Sequence, residues 1–302
     1  MYYKPDWEQT RQRMIAWWHH EVVDRCCVAV CAPKANSTLP PLPNLQYEMW
    51  LDGMESIASD DTAALAHWWQ DPDLNYERAI RWFEGMYFGG EALPITTVNW
   101  GAMSMAAMFG SRPVFGTNTV WYEPVIEQWD DWTWSFSADD NPFWQSILAI
   151  VDRFLEDAPG KYFVGSPELG NGADVLSLMR GMDELALDLY MHPDAVRQGV
   201  DFISDVWVQL MEHIYHKTTH VNSDGDILAW MSLWAPGRID QLACDFSSII
   251  SPAMFGEFFI PEIVKMGNWC DYATYHLDGP ACIRNMLDTL LEVEQIKAVQ
   301  FT

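Results

Sequence analysis

The chain has 302 residues, 49% hydrophobic and 20% charged, which suits one large core or two small ones and excludes global disorder. Its 43 acidic and 17 basic side chains leave a formal charge of −26 with no basic cluster, so phosphate backbones are repelled and nucleic acid is excluded as a partner. No apolar run reaches about eighteen residues, and Met1 to Arg13 carries Asp6 and Glu8 with no apolar h-region. The expectation is therefore no membrane span, no signal peptide and a cytoplasmic location.

In chain order, Trp7, Met14, Ile15, Trp17 and Trp18 predict a helix over 7–22, and an apolar strand follows at 27–32, stopped by Pro33. Pro40, Pro41 and Pro43 make 34–45 a loop, apolar periodicity returns at 49–57 and 63–69, and 76–88 reads as a helix. The β-branched run from Ile95 to Trp100 predicts a buried strand, with a short helix over 101–109. Thr117 to Val125 alternates and reads as an excursion strand. Asn141-Pro142 opens a helix to Leu155, and Tyr162 to Ser166 is a strand whose loop covers 167–172. Helices are expected at 182–190 and 193–217, a strand at 227–231, and a short strand or turn at 241–245. Ser251-Pro252, a cap followed by a first-turn proline, starts a helix to 269. A strand at 273–276, a helix at 282–291 and a strand at 296–301 complete the pattern. Strands alternating with helices at this spacing imply parallel βαβ units.

Absent motifs narrow the chemistry. There is no G-x-G-x-x-G, Walker A, G-x-S-x-G or H-E-x-x-H, which removes the usual warrant for dinucleotide binding, P-loop chemistry, common serine hydrolases and zincins. The six cysteines form no C-x-x-C pair and read as reduced, buried and structural. The excess acid is either a solvating surface or an electrostatic funnel for a cationic ligand.

In parallel α/β folds, the loops after the strands converge and carry the active residues. The strand ends here offer Asn99 and Trp100, then Glu168, then Trp230 and Trp234, then Tyr275, His276 and Asp278, and last Gln300; Asp174, Arg180 and Asp245 lie in loops just beyond. His276 and Asp278, two apart in Tyr275-His276-Leu277-Asp278-Gly279-Pro280, are expected on one face, where imidazole and carboxylate could bind a divalent metal or share proton transfer. The plainer alternative is a histidine bonded to a neighbouring loop and an aspartate capping the next helix. Arg180 beside Glu168 and Asp174 is either a clamp for a substrate carboxylate or a structural ion pair. Trp230 and Trp234 are either walls for a ligand or packing.

Several segments together resemble the uroporphyrinogen decarboxylase-like superfamily, which includes the corrinoid-linked methyltransferases. They are Val23-Asp24-Arg25, Gly165-Ser166-Pro167-Glu168-Leu169, Leu178-Met179-Arg180-Gly181, Cys244-Asp245-Phe246-Ser247 through Ile250-Ser251-Pro252, Tyr275 to Pro280, and Ala298-Val299-Gln300. The resemblance implies an α/β fold of the TIM-type (β/α)8 class with its mouth at the strands' C-terminal ends. The chain would be one domain, 1–302, with 1–22 an N-terminal helix and 34–90 a loop and helix excursion. Only about six of the eight strands can be counted, so the barrel is expected to be C-terminally incomplete by about sixty residues. Cys31-Ala32-Pro33-Lys34-Ala35 lacks the arginine-rich motif of the decarboxylase proper. The methyltransferases' zinc segment is His-x-Cys-Gly; His276 matches its histidine, and Asp278 stands in the cysteine's place.

The resulting expectation is an enzyme acting on a small molecule, with methyl transfer of the corrinoid-linked type first, a cofactor-free decarboxylase second and a non-catalytic binding barrel third. His276, Asp278 and Asp245 would be catalytic. Asn99, Trp100, Glu168, Asp174, Arg180, Trp230, Trp234, Tyr275 and Gln300 would bind substrate. Zinc on His276 is the candidate cofactor. The resemblance also implies a corrinoid protein and a second copy of the chain as candidate partners.

Overall fold

The computed structural model describes residues 1–39 and 54–301, apart from the side chains of Glu55 and Asn285. Much of the expected loop over 34–45 and periodic stretch over 49–57 lies outside the described residues.

Helix α1 (Trp7–Trp18) leads to strand β1 (Ala29–Pro33). Helices α2 (Thr62–Gln70) and α3 (Pro72–Gly85) begin at aspartate caps, Asp61 accepting from Ala64 N at 3.0 Å and Asp71 from Leu74 N at 2.9 Å. Next come β2 (Met86–Gly90), β3 (Ile95–Thr96), α4 (Met105–Met108), β4 (Pro113–Phe115) and β5 (Val120–Tyr122). Helix α5 (Pro142–Leu155) is capped by Asn141, and after β6 (Phe163–Val164) three helices run in succession: α6 (Gly172–Arg180), α7 (Met182–Met191) and α8 (Pro193–Thr218). Strands β7 (Asp226–Leu228), β8 (Leu233–Ala235) and β9 (Ile239–Leu242) precede α9 (Pro252–Phe258), which starts at the expected Ser251 cap. The last elements are α10 (Ile260–Trp269), β10 (Tyr272–Leu277), α11 (Gly279–Leu290) and β11 (Ile296–Phe301).

The architecture is mixed α/β, with small sheets and parallel pairing at its centre. β3 pairs parallel with β6, and β10 pairs parallel with both β9 and β11. Bonds carry the arc between these sheets: Ser166 N donates to Ile227 O at 3.3 Å, and Ile239 N to the Asp226 carboxylate at 3.3 Å. The six strands thus follow one another as β3, β6, β7, β9, β10 and β11. No closed ring of strands forms among the described residues. Gly165 lets the arc close up: an added Cβ would lie 2.5 Å from Ala229 Cβ and 3.1 Å from Thr96 O.

Four expectations need correcting. The strand expected at 27–32 is not a buried barrel strand; β1 runs antiparallel to β2, from Ala29↔Gly90 to Pro33↔Met86, with Val30 exposed. Its anchor is the buried Glu91, whose carboxylate accepts from Val28 N at 2.7 Å and from the Arg25 guanidinium. The expected helix at 76–88 ends at Gly85, because Gly89-Gly90 cannot continue it and the segment pairs with β1. The strand expected at 227–231 stops at Leu228, turns through Ser232 at φ 53°, and returns antiparallel as β8. Residues 172–180, read as loop, form α6, a nine-residue helix buried along most of its length. The cysteines are free as expected, but Cys26 is exposed. No helix among the described residues is long and apolar enough to cross a membrane.

Asn222, fully buried, holds β6 to β8. Its amide accepts from Val164 N at 3.0 Å and donates to Val164 O at 2.7 Å, while its own carbonyl accepts from Trp234 Nε1. Asn222→Ala should cost about 2–4 kcal/mol in urea unfolding, because two buried backbone groups lose their partners. A loss near zero would show that β6 does not depend on this clamp.

Candidate functional site

Five strands deliver side chains to one cavity of about 590 Å³ just beyond their C-terminal ends. Asn99 follows β3, Glu168 follows β6, Trp230 follows β7, Gln241 and Asp245 come from β9 and its loop, and His276 and Asp278 come from β10. Asp174, on α6, also reaches the wall. Seven of the residues chosen from strand ends and loops, Asn99, Glu168, Asp174, Trp230, Asp245, His276 and Asp278, are therefore brought together, with Gln241 between them.

Glu168 is held by a side-chain relay. Gln241 Nε2 donates to Glu168 Oε1 at 2.9 Å, and the Gln241 carbonyl in turn accepts from Trp230 Nε1, which fixes the amide's orientation. Burial pushes the Glu168 carboxyl up to about 7; the Gln241 bond opposes that shift and the nearby Asp245 adds to it. At neutral pH the group both holds and releases a proton, the condition for general acid–base work.

His276 ends β10 opposite Gln300 of β11, and its Nδ1 is hydrogen-bonded to the Gln300 side-chain carbonyl. A carbonyl only accepts, so Nδ1 is the nitrogen that donates in this bond. The ring stands edge-on to Trp230, centroids 5.0 Å apart at 88°. Gln300 thus acts through His276 and is not itself on the cavity wall. Asp278 lies past the strand at the start of α11, exposed, and makes no capping bond to that helix.

Asp174 and Asp245 are joined differently. Both Asp174 oxygens accept backbone N–H bonds, from Phe246 at 2.9 Å and Asp245 at 3.0 Å, holding the 3-10 turn Asp245–Ile249. Asp245 turns its own Oδ1 into a buried position with no hydrogen-bond partner. Burial raises both carboxyls; the Asp245 charge raises Asp174 further, whereas at Asp245 the nearby His276 pulls down and Asp278 pushes up. Asp174 therefore positions the turn, while Asp245 Oδ1 stays buried and unbonded beside it.

The remaining expected site residues lie elsewhere. Trp100 is buried, donates from Nε1 to Trp69 O at 3.2 Å and accepts at its own carbonyl from Tyr122, so it ties the β4–β5 excursion to α2. Trp234 is fully buried on β8 against Trp7 of α1, ring centroids 5.3 Å apart. Tyr275 points into the core, where burial pushes its hydroxyl well up. Arg180 and Asp174 sit on α6, not in a loop. Arg180 Nε binds Asp188 at 2.6 Å, and its Nη1 binds Ile126 O and Glu127 O at 3.0 and 2.8 Å. It is the structural ion pair of the two alternatives. Arg180→Met should cost roughly 2–4 kcal/mol, by stranding a buried carboxylate, and leave ligand affinity unchanged; weakened binding at unchanged stability would restore the clamp.

Sequence reasoning missed Gln241, Asn171, Asn118, Thr119 and Trp69 on the wall. It also missed Met103, which lines the cavity at φ 66° against Gly170, where a Cβ would fall 2.5 Å from Met103 Cα. For zinc, the available donors are one imidazole and carboxylates; among the described residues no three His, Cys, Asp or Glu side chains converge to hold a metal ion.

No model of a known protein family matches the chain, and no curated protein matches it in sequence. Eight chains of solved structures match. Among them a methyltransferase from Methanosarcina mazei superposes with a TM-score of 0.62 over 96% of this chain and 75% of its own, at 13% identity. At that identity the likeness is one of fold.

Proposed function

We propose that the chain is an enzyme that transfers a methyl group from a heteroatom of a small molecule bound in the strand-end cavity. The observation that carries this reading is the pairing, on one cavity wall, of Glu168 poised to exchange a proton near neutrality with a tautomer-fixed His276. The fold likeness to a methyltransferase supports the reaction class, and the resemblance of the strand-end segments supports an acceptor of the corrinoid kind, carried by a partner protein. The architecture would be of the (β/α)-barrel class in a single domain.

In this reading, Glu168 gives its proton to the donor heteroatom as the carbon–heteroatom bond breaks, so the electron pair leaves on a neutral atom. The methyl carbon forms its new bond with the acceptor's lone pair. The Glu168 carboxylate recovers its proton from solvent, and His276 Nε2, when it has itself taken up a solvent proton, can hand that proton on. Asn99 and Gln241 orient polar atoms, while Trp69 and Trp230 exclude water. The decarboxylase reading is weaker, because no Lys or Arg lines the cavity among the described residues to receive a carboxylate.

The test is a donor panel of O-, S- and N-methyl compounds with cobalt(I) cobalamin as acceptor, followed by the absorbance change of methylcobalamin formation. Protein-dependent methylation with at least one donor is expected. Carbon dioxide release from a carboxylated panel, with no methylation, would replace this reading by the decarboxylase.

A further inference from the structure

Two residues of the cavity wall, Asn171 and Asp174, stand at the start of α6, yet that helix has no cap of its own. Asn171 occupies the cap position and is buried, but its side chain makes no capping bond; its amide donates to Met266 Sδ on α10 at 3.7 Å. The missing acceptor comes from α10 as well. Glu262, one turn before Met266 and 3% exposed, receives the Ala173 N–H at 3.1 and 3.2 Å to its two oxygens. Gly172 permits that approach, because an added Cβ would collide with Glu262 Oε2. We propose that Glu262 is a positioning residue for the cavity: by capping α6 from a neighbouring helix, it sets where Asn171, Asp174 and the turn at Asp245 stand on the wall.

The first N–H groups of a helix have no partner within it, and a buried one left unmet costs as much as a lost hydrogen bond. Gly172, Ala173 and Asp174 are all buried, so the acceptor must come from the protein. Asp174, next in the chain after Ala173, spends its carboxylate on Asp245 N and Phe246 N. The turn fixed by those bonds runs on through α9 into α10, where Glu262 lies. Residues 245–262 are thus tied at both ends to the same first turn of α6, in a closed circuit. Displacing Glu262 frees that turn, and the turn carries the grip on Asp245. Glu262 is not among the described residues of the cavity wall, so it acts only through Asn171 and Asp174. Its service to the reaction rests on the methyl-transfer reading, whereas the building of the wall does not. A displaced wall holds the donor less well and leaves Glu168 and His276 in place, so binding should suffer more than bond breaking.

The test is amide hydrogen exchange on the whole chain, followed by NMR at pH 7, in three variants. Glu262→Ala should speed exchange at Asp245 and Phe246 by about tenfold or more, with the β9–β10–β11 ladder unchanged. Gly172→Ala reaches the same end by pushing Glu262 aside, although alanine suits a helix better than glycine. Once Glu262 is already alanine, adding Gly172→Ala should speed exchange no further. Glu262→Gln keeps an acceptor for Ala173 N and should restore exchange to within about twofold of wild type. Unchanged exchange at Asp245 and Phe246 in Gly172→Ala and Glu262→Ala overturns the inference. Acceleration spread equally over the ladder also overturns it, since Glu262 would then support the fold alone. With a donor that is turned over, KM should rise about tenfold in Glu262→Ala with kcat within about threefold, and Glu262→Gln should recover KM. A fall in kcat at unchanged KM contradicts the positioning role. Should no donor be turned over, the reaction is rejected, and the exchange rates still decide whether Glu262 sets the wall.

Discussion

Unfolding free energy should be highest near pH 5 and fall steadily toward pH 8. Several carboxyls are buried here without a buried cation. Asp226, 1% exposed, accepts only from Ile227 N and Ile239 N, and burial holds it at about 7. Glu262, 3% exposed, accepts from Ala173 N at the start of α6 and is held at about 8, again mainly by burial. Asp240 is pushed well up by burial, with Glu168 and Asp226 adding to it, and Glu168 itself sits at about 7. In the unfolded chain all four ionise near pH 4. Between pH 4 and 8 the native state therefore binds more protons than the unfolded state, and stability falls as pH rises.

Each such group contributes about 1.4 kcal/mol per pH unit while it titrates. Even with relaxation absorbing most of the sum, a loss of at least about 3 kcal/mol between pH 5 and 8 is expected. The opposite slope appears only in acid. Asp24, beside Arg13, is held down to about 2, and Glu91 is lowered by Arg25 and Val28 N despite its burial, so their contributions vanish as pH falls below about 4. Urea melts from pH 4 to 8 give the curve, and Asp226→Asn should flatten part of it. A stability maximum at pH 7 or above would show that these acids are not buried as described.

The site was legible where chain direction alone decides position. A strand end is marked by the loss of β-branched residues, so Asn99, Glu168 and His276 could be placed at one rim without knowing the packing. What sequence could not supply was rotation about the strand. Asn99 and Trp100 are neighbours in an irregular stretch, and only coordinates show that Asn99 faces the cavity and Trp100 the core. Trp234 was misplaced because the chain reverses at Ser232, a non-glycine residue at positive φ that leaves no trace in composition. Arg180 looked like a clamp because spacing cannot reveal Asp188, its partner on the next helix. Gln241 was passed over as part of a strand or turn. Its only signal is two polar residues, Asp240 and Gln241, between the buried Ile239 and Leu242.

Glu168→Gln should lower kcat by about 100-fold or more, the scale of a lost general acid, while His276→Ala does the same by a separable route. The glutamine keeps the shape and can still bond Gln241, so the fold should be unaffected or slightly stabilised above pH 7, where the native carboxylate is costly. It cannot supply a proton. In the wild-type protein kcat/KM should therefore decline as pH rises through about 7, as Glu168 gives up the proton it must deliver. The variant should lose that limb, keeping a low and flatter profile. His276 differs: its imidazole is half-buried, and its loss removes one bond to Gln300 and one edge contact with Trp230. That is worth about 1–2 kcal/mol, so the melting temperature should move by only a few degrees. Gln300→Leu separates positioning from chemistry. The ring remains but its tautomer is no longer fixed, so kcat should fall about tenfold with KM nearly unchanged. If Glu168→Gln retains both full rate and the descending limb, the acid lies elsewhere on the wall, and Asp245 becomes the group to replace.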